Sequence, residues 1–95
     1  MDINKLFNID GKTALITGGS RGIGEMIAAG FLANGVKVYI TARKEAPLIE
    51  KARELSEKFN GECIAIPCDL SNMEGIQKLA SDYLDHEDSL DILVN

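Results

Sequence analysis

A glycine-rich stretch between a strand-like and a helix-like segment constrains this chain more than any other feature. Residues 17–24 read Thr-Gly-Gly-Ser-Arg-Gly-Ile-Gly, between the apolar run 14–16 and the helical pattern 26–29. Glycines at such a turn allow backbone angles that side chains forbid, and they let a pyrophosphate approach the free amides at a helix N-terminus. The stretch therefore predicts a phosphate-binding loop, although its spacing is Gly-x-x-x-Gly-x-Gly rather than the commoner Gly-x-Gly-x-x-Gly.

The composition restricts the class of protein. With 95 residues, 45% hydrophobic and 26% charged, the chain is typical of a globular protein with at most one small domain. No apolar run approaches the roughly 20 residues that span a bilayer, and residues 1–5 do not resemble a signal peptide. We therefore expect a cytoplasmic protein with no membrane partner. A net charge of -5, without a basic stripe, argues against nucleic acid as a partner.

The cysteines and the histidine do not indicate a metal site. Cys63, Cys68 and His86 are the only residues of these types, and their spacing fits no familiar zinc site. We expect both cysteines to be small buried or half-buried apolar residues with free thiols, as in a reducing compartment. His86 is interpreted as a solvated loop residue.

Four short apolar runs predict β-strands. The first of them lacks the polar alternation of a half-exposed strand, which favours a strand covered on both faces of a sheet. The predicted strands are 13–17, 36–41, 62–67 and 90–95.

Helical patterns fill the intervals between these runs. The first helix is predicted from about Gly22 to Asn34, with an apolar stripe of Ile23, Ile27 and Phe31. Within it, Gly30 is predicted to permit close packing on the sheet, because a helical glycine is otherwise destabilising.

Two further helices follow. The second has Pro47 in its first turn and ends at Asn60-Gly61. The third begins at residues 71–74, Ser-Asn-Met-Glu, which have the form of a capping box, and ends near Leu84.

Strands and helices thus alternate with short connections. This order predicts a Rossmann-type α/β fold, a doubly wound parallel sheet with right-handed crossovers, of which the chain supplies only the N-terminal half. The predicted strand order is 3-2-1-4, and the change of direction between the first and fourth strands opens a ligand crevice at their carboxyl ends. Residues 18–24 and Asn95 are predicted to line that crevice.

Three motifs, in order and at the expected separations, resemble the short-chain dehydrogenase/reductase family. They are the glycine-rich stretch 17–24, Cys-Asp-Leu at 68–70 after the third strand, and Leu-Asp-Ile-Leu-Val-Asn at 90–95. Within the family, the chain resembles bacterial 3-oxoacyl-[acyl-carrier-protein] reductases, including the rhamnolipid-associated type.

The resemblance implies a set of cofactor-binding residues. It places Asp69 against adenine, with Leu70 beside it, and makes Asn95 the first residue of an Asn-Asn-Ala-Gly element. An alternative stays open for each of the two polar residues. Asp69 could only complement the charge of the following helix, and Asn95 could only tether the sheet. The glycines that the resemblance assigns to the cofactor are Gly18, Gly22 and Gly24, with the backbone of Ile23 near the pyrophosphate.

The end of the second strand indicates which cofactor is bound. An NAD site usually has a carboxylate here for the ribose 2′-hydroxyl, whereas residues 41–43 are Thr-Ala-Arg and no acid precedes Glu45. Arg43, with Arg21 and the Ser20 hydroxyl, would give a 2′-phosphate charge-assisted hydrogen bonds worth about 1.5–3 kcal/mol each. We therefore predict NADP(H). The alternatives are a solvated loop cation for Arg43 and a surface salt bridge for Arg21.

The catalytic residues of the family are not found in the chain. The resemblance implies a Tyr-x-x-x-Lys pair and a Ser, but Tyr39 and Tyr83 are followed four residues later by Arg43 and Glu87. We therefore interpret residues 1–95 as the N-terminal part of a single NADP(H)-binding domain, truncated after the fourth strand and inactive alone.

Two functions are compatible with this interpretation. The first is an NADPH-dependent oxidoreductase that reduces a small-molecule carbonyl, such as a 3-oxoacyl thioester, by hydride transfer, with catalytic residues beyond Asn95. The resemblance implies a homo-oligomer, a dimer or tetramer, for the full-length protein. The second is a non-catalytic module that binds NADP(H) or another adenine nucleotide. The length of the open reading frame distinguishes them.

Overall fold

The computed structural model describes residues 9–18 and 22–95. The predicted lead-in contacts of Leu6 and Phe7 lie outside these residues. Strands and helices alternate along the chain, as the sequence predicts. The elements are β1 (Thr13–Thr17), α1 (Gly22–Ala33), β2 (Lys37–Ala42), α2 (Glu45–Phe59), β3 (Cys63–Pro67), α3 (Met73–Leu84) and β4 (Ile92–Val94).

The four strands form one parallel sheet in the order β3-β2-β1-β4, which confirms the predicted topology. Leu15 of β1 lies between Tyr39 of β2 and Leu93 of β4. The bounds of β1 are as predicted, whereas β2 is displaced by one residue and β4 is only three residues long. Because all four strands are parallel, their carboxyl ends lie along the same edge of the sheet.

Successive residues of β1, β2 and β3 contribute to two different hydrophobic cores. One core lies under α1 and α2, and the other lies under α3. The first core includes Ala14, Ile16, Val38, Ile40, Leu48 and Cys63, and the second includes Leu15, Tyr39, Ile66, Cys68, Leu79 and Tyr83. None of the three helices in the described part of the chain is both long and apolar enough to cross a bilayer.

The buried face of α1 differs from the predicted stripe. Its fully buried residues are Ala28 and Leu32, and Ile27 and Phe31 pack at the margin of the core. Ile23 is 76% exposed. It precedes Ala28 by five residues and so projects about 140° away from it around the helix.

The packing role predicted for Gly30 is wrong for the described residues. The position is exposed, and a Cβ there would meet none of their atoms within 4 Å. Alanine at this position would therefore be accommodated without a clash.

The two ends of α2 follow local backbone chemistry. Pro47 lies in the first turn, where its missing N–H leaves no acceptor unpaired. At the other end Asn60 has φ 49°, the left-handed conformation that terminates many helices, and its backbone N–H donates to the Ser56 carbonyl.

The start of α3 differs from the predicted capping box. Asn72, not Ser71, is the N-cap, and its side-chain oxygen accepts a hydrogen bond from the backbone N–H of Gly75 at 2.7 Å. The Ser71 N–H instead donates to the Asp69 carboxylate at 2.9 Å. Because Asp69 engages Ser71 in this preceding turn, the helix begins one residue later than the pattern predicts.

Candidate functional site

The glycine-rich turn connects β1 to α1 at the carboxyl edge of the sheet. Gly18 has φ 74° and Gly22 has φ 62°, a region that favours glycine. The Gly18 N–H donates to the Thr41 carbonyl at 2.9 Å, which joins the turn to the end of β2. A Cβ at either glycine would meet no atom of the described residues within 4 Å, so both backbones border open space.

The first turn of α1 faces the same edge. It contains Ile23 and Gly24, and its backbone N–H groups, which have no partner within the helix, carry the positive end of the helix dipole. An anion at this turn would be stabilised by those groups. The other two loop residues predicted to bind the cofactor, Ser20 and Arg21, lie outside the described residues.

A cavity of about 270 Å³ opens at the ends of β2 and β3. The backbone N–H of Cys68 donates to the Ala42 carbonyl at 3.0 Å, and this bond joins two residues that line the cavity. The structure thus brings together Arg43, Asp69 and Leu70, three of the residues predicted to bind the cofactor. The cavity is lined by Ala42, Arg43, Cys68, Asp69, Leu70 and Ser71.

Asp69 is held as a carboxylate in this cavity. Hydrogen bonds from the Ser71 hydroxyl and backbone N–H lower the pKa of Asp69, and the positive charge of Arg43 lowers it further. The same carboxylate therefore stabilises the turn before α3 and presents negative charge to the cavity, so its local role and a ligand-binding role are compatible.

Asn95 lies at the carboxyl end of β4. Its side-chain oxygen accepts a hydrogen bond from the Thr17 hydroxyl at 3.5 Å, and the same hydroxyl contacts the Val94 carbonyl at 3.3 Å. These contacts link the ends of β1 and β4, which agrees with the tethering alternative for Asn95.

The two tyrosines are engaged at the opposite edge of the sheet. Tyr39 donates its hydroxyl hydrogen to Glu87 at 2.5 Å, and Tyr83 donates to the Ser89 carbonyl at 2.5 Å. Burial is the main reason that the pKa of Tyr39 rises to about 12. The Tyr83 hydroxyl also contacts Thr13 at the start of β1, and Glu87, the partner of Tyr39, pairs with Lys37 at the start of β2. Both hydroxyls are therefore remote from the glycine turn, which follows the carboxyl end of β1.

Some residues at the site were not predicted from sequence. The sequence predicts Ser71 only as a helix cap, and Cys68 only as a small buried residue within the Cys-Asp-Leu motif, yet both line the cavity. The sequence feature that could have identified both as cavity residues is their position within two residues of Asp69. In the described ranges, no group of three or more His, Cys, Asp or Glu residues is arranged to hold a metal ion.

These features together are typical of one class of site. Open space above two left-handed glycines can admit a pyrophosphate, and the adjacent cavity combines a cation, a carboxylate and apolar walls that suit an adenosine phosphate. The fold and the site define the nucleotide-binding edge of a doubly wound α/β protein.

Comparison with known proteins identifies the family. The family model for short chain dehydrogenases matches residues 12–95, and the chain belongs to this family. Over 89 residues it is 47% identical to the rhamnolipids biosynthesis 3-oxoacyl-[acyl-carrier-protein] reductase of Pseudomonas aeruginosa, covering 94% of this chain and 34% of that protein. It is 39% identical over 88 residues to a fatty acyl-CoA reductase of Acinetobacter baylyi, covering 93% of this chain and 30% of that protein.

Solved structures show the same fold. The Pseudomonas aeruginosa RhlG/NADP active-site complex matches with a TM-score of 0.87 and 47% identity, over 92% of this chain and 34% of that one. L-sorbose reductase from Gluconobacter frateurii, complexed with NADPH and L-sorbose, matches with a TM-score of 0.87 and 39% identity, over 92% and 33% of the two chains. The chain thus spans about a third of the length of these relatives.

Proposed function

We propose that this chain is the N-terminal part of a single NADP(H)-binding domain in an NADPH-dependent oxidoreductase that reduces a carbonyl. One observation carries the proposal: Arg43 lies beside the cavity at the end of β2, where an NAD site usually has a carboxylate. A guanidinium there attracts a 2′-phosphate, whereas a carboxylate would repel it.

The proposed cofactor contacts follow the carboxyl edge of the sheet. The turn 18–24 holds the pyrophosphate through its backbone N–H groups, and Arg43, with Ser20 and Arg21, holds the 2′-phosphate. Asp69 and Leu70 contact adenine, and Asn95 lines the crevice between β1 and β4. When bound, NADPH supplies the hydride for the reduction.

The proposed substrate and catalytic machinery rest on the relatives. One is a 3-oxoacyl-[acyl-carrier-protein] reductase and another is a fatty acyl-CoA reductase, which supports a 3-oxoacyl thioester or similar small-molecule carbonyl. Because these relatives are about three times as long, the catalytic residues are proposed to follow Asn95. The full-length protein is proposed to be a cytoplasmic homo-oligomer, and the 95 residues alone to be inactive.

The test is the substitution Arg43→Ala in the full-length protein. We expect NADPH to bind about ten- to a hundredfold more weakly, because a charge-assisted hydrogen bond worth about 1.5–3 kcal/mol is lost. NADH, which lacks the 2′-phosphate, should bind with unchanged affinity. The dissociation constants of both cofactors can be measured by isothermal titration calorimetry.

Lys44→Ala is the matched control, because Lys44 is also exposed and cationic but does not line the cavity. It should leave the preference for NADPH unchanged. A preference that also remains unchanged in Arg43→Ala would contradict the role proposed for Arg43.

A second candidate is a nucleotide-binding module without catalysis. It is favoured by the two tyrosine hydroxyls of this chain, which are both bonded within the fold and remote from the cleft. The intact mass of the expressed polypeptide and an assay of NADPH oxidation with a 3-oxoacyl thioester distinguish the candidates. A polypeptide of this mass that binds NADPH without oxidising it would favour the module.

A further inference from the structure

Gly75 occupies an unexpected place for a glycine, the first turn of α3. Glycine weakens a helix because it loses more backbone freedom on folding than other residues do. The backbone N–H of Gly75 donates to the side-chain oxygen of Asn72, the N-cap, at 2.7 Å. A glycine here therefore calls for a packing reason.

The reason is the carbonyl group of Asp69. A Cβ at position 75 would lie 1.5 Å from the Asp69 carbonyl oxygen and 2.6 Å from its carbonyl carbon. Both are backbone atoms, which cannot rotate away as the end of a flexible side chain can. Gly30, the helical glycine of α1, is the opposite case, because a Cβ there has no described neighbour within 4 Å.

The backbone against Gly75 belongs to the cavity beside Arg43. Cys68, Asp69, Leu70 and Ser71 line this cavity consecutively. On one side the segment is bonded to β2 through the Cys68 N–H and the Ala42 carbonyl, so a displacement at Asp69 cannot spread into the sheet without breaking that bond. The displacement would instead be concentrated at residues 69–71.

We propose that Gly75 is a positioning residue for the adenosine end of the cofactor. Its missing side chain lets the first turn of α3 lie directly against the Asp69 carbonyl, and this contact sets where the Asp69 carboxylate and Leu70 stand in the cavity. The inference rests on the proposed function, since it assigns the cavity to the 2′-phosphoadenosine half of NADP(H).

The test compares Gly75→Ala with Gly30→Ala in the full-length protein. Both variants add one methyl group to a helical glycine, but only the first meets backbone. We expect Gly75→Ala to bind NADPH and 2′,5′-ADP about tenfold more weakly or worse, because the contacts of Asp69 are misplaced. Reduced nicotinamide mononucleotide, which lacks the adenosine half, should bind both variants as it binds the wild type.

Two further measurements separate positioning from a general loss of stability. Asn72→Ala weakens the same helix start without adding a Cβ, and it should keep its affinity for 2′,5′-ADP even where its melting temperature falls as far as that of Gly75→Ala. Amide NMR shifts of ligand-free Gly75→Ala should change most at residues 69–71. If Gly75→Ala is too unstable to study, the double variant Gly30→Ala/Gly75→Ala provides the same comparison with stronger helix propensity in α1.

Affinity of Gly75→Ala for 2′,5′-ADP within about twofold of wild type would overturn the inference. Equal weakening of 2′,5′-ADP and of reduced nicotinamide mononucleotide would also overturn it. If the wild-type protein binds neither NADPH nor 2′,5′-ADP, the proposed function itself fails, and with it the assignment of Gly75 to a cofactor.

Discussion

Glu87 shows how one side chain can connect distant parts of this fold. It lies in the link between α3 and β4, where its carboxylate accepts the Tyr39 hydroxyl hydrogen and forms an ion pair with Lys37 at 2.6 Å. Hydrogen bonds from Lys37 and then Tyr39 lower the pKa of Glu87, opposed in part by burial, and the nearby His86 adds a small lowering effect. The link is therefore bonded to the amino end of β2.

The substitution Glu87→Gln should make this contribution measurable as a function of pH. Because the folded-state pKa of Glu87 lies below the ordinary 4.5, its stabilisation is complete above that pH and is lost as pH falls through the lowered value. We expect the variant to be less stable by about 1 kcal/mol at neutral pH and the difference to shrink in acid. Urea unfolding of both proteins from about pH 7 to about pH 3 measures this.

Glu62→Gln is the matched control for that experiment. Glu62 also faces Lys37, but at 3.6 Å and with its side chain 71% exposed, so its removal should have a smaller effect. Stability curves for wild type and Glu87→Gln that stay parallel down to the acid limit would contradict the role assigned to Glu87.

At the scale of single elements, the start of α3 is the most informative case. The Asn72 side chain accepts from the Gly75 N–H, whereas Ser71 belongs to the turn held by Asp69. We expect Asn72→Ala to lower the free energy of unfolding by about 1 kcal/mol, the usual effect of losing an N-cap. Ser71→Ala should cost about 0.5 kcal/mol or less. Chemical denaturation of the two variants decides which residue is the cap, and the reverse order would restore the capping box.

The elements that sequence predicted well are those in which the signal is local. Apolar runs without alternation mark buried parallel strands, so β1 was placed within its bounds and the strand order followed from alternation with helices. The predictions for Ile23 and for the cap of α3 are wrong, because the first depends on how α1 is oriented on the sheet and the second on a competing hydrogen bond between Ser71 and Asp69. Arg43, Asp69 and Leu70 were brought together as expected, since the carboxyl ends of parallel strands share an edge. The bond between Tyr39 and Glu87 spans 48 positions and leaves no local pattern.

At the scale of the whole molecule, the described helices cover the two faces of the sheet unequally. In residues 9–18 and 22–95, α1 and α2 pack on one face and α3 packs on the other, and beside α3 runs an apolar groove of about 580 Å³. Leu84 and Leu93 in this groove are 62% and 58% exposed. Contiguous apolar surface of this kind promotes association.

A polypeptide of these 95 residues should therefore aggregate through the groove. We expect Leu93→Lys to slow aggregation severalfold, because it places a charge within the contiguous apolar surface. Ile49→Lys is the control, since Ile49 on α2 is similarly exposed, at 49%, but lies outside the groove. Light scattering at matched concentrations measures both, and an equal effect of the two substitutions would contradict the assignment.

The two cysteines, finally, belong to different cores. Cys63 is buried in the core under α1 and α2, Cys68 is buried in the core under α3, and both thiols are free. Because the sheet separates these cores, Cys63 becomes available to an alkylating reagent only when the side under α1 and α2 opens, whereas Cys68 also borders the cavity at the ends of β2 and β3. The alkylation rates of the two thiols in the native protein therefore report separately on the two sides of the sheet, and no label has to be added.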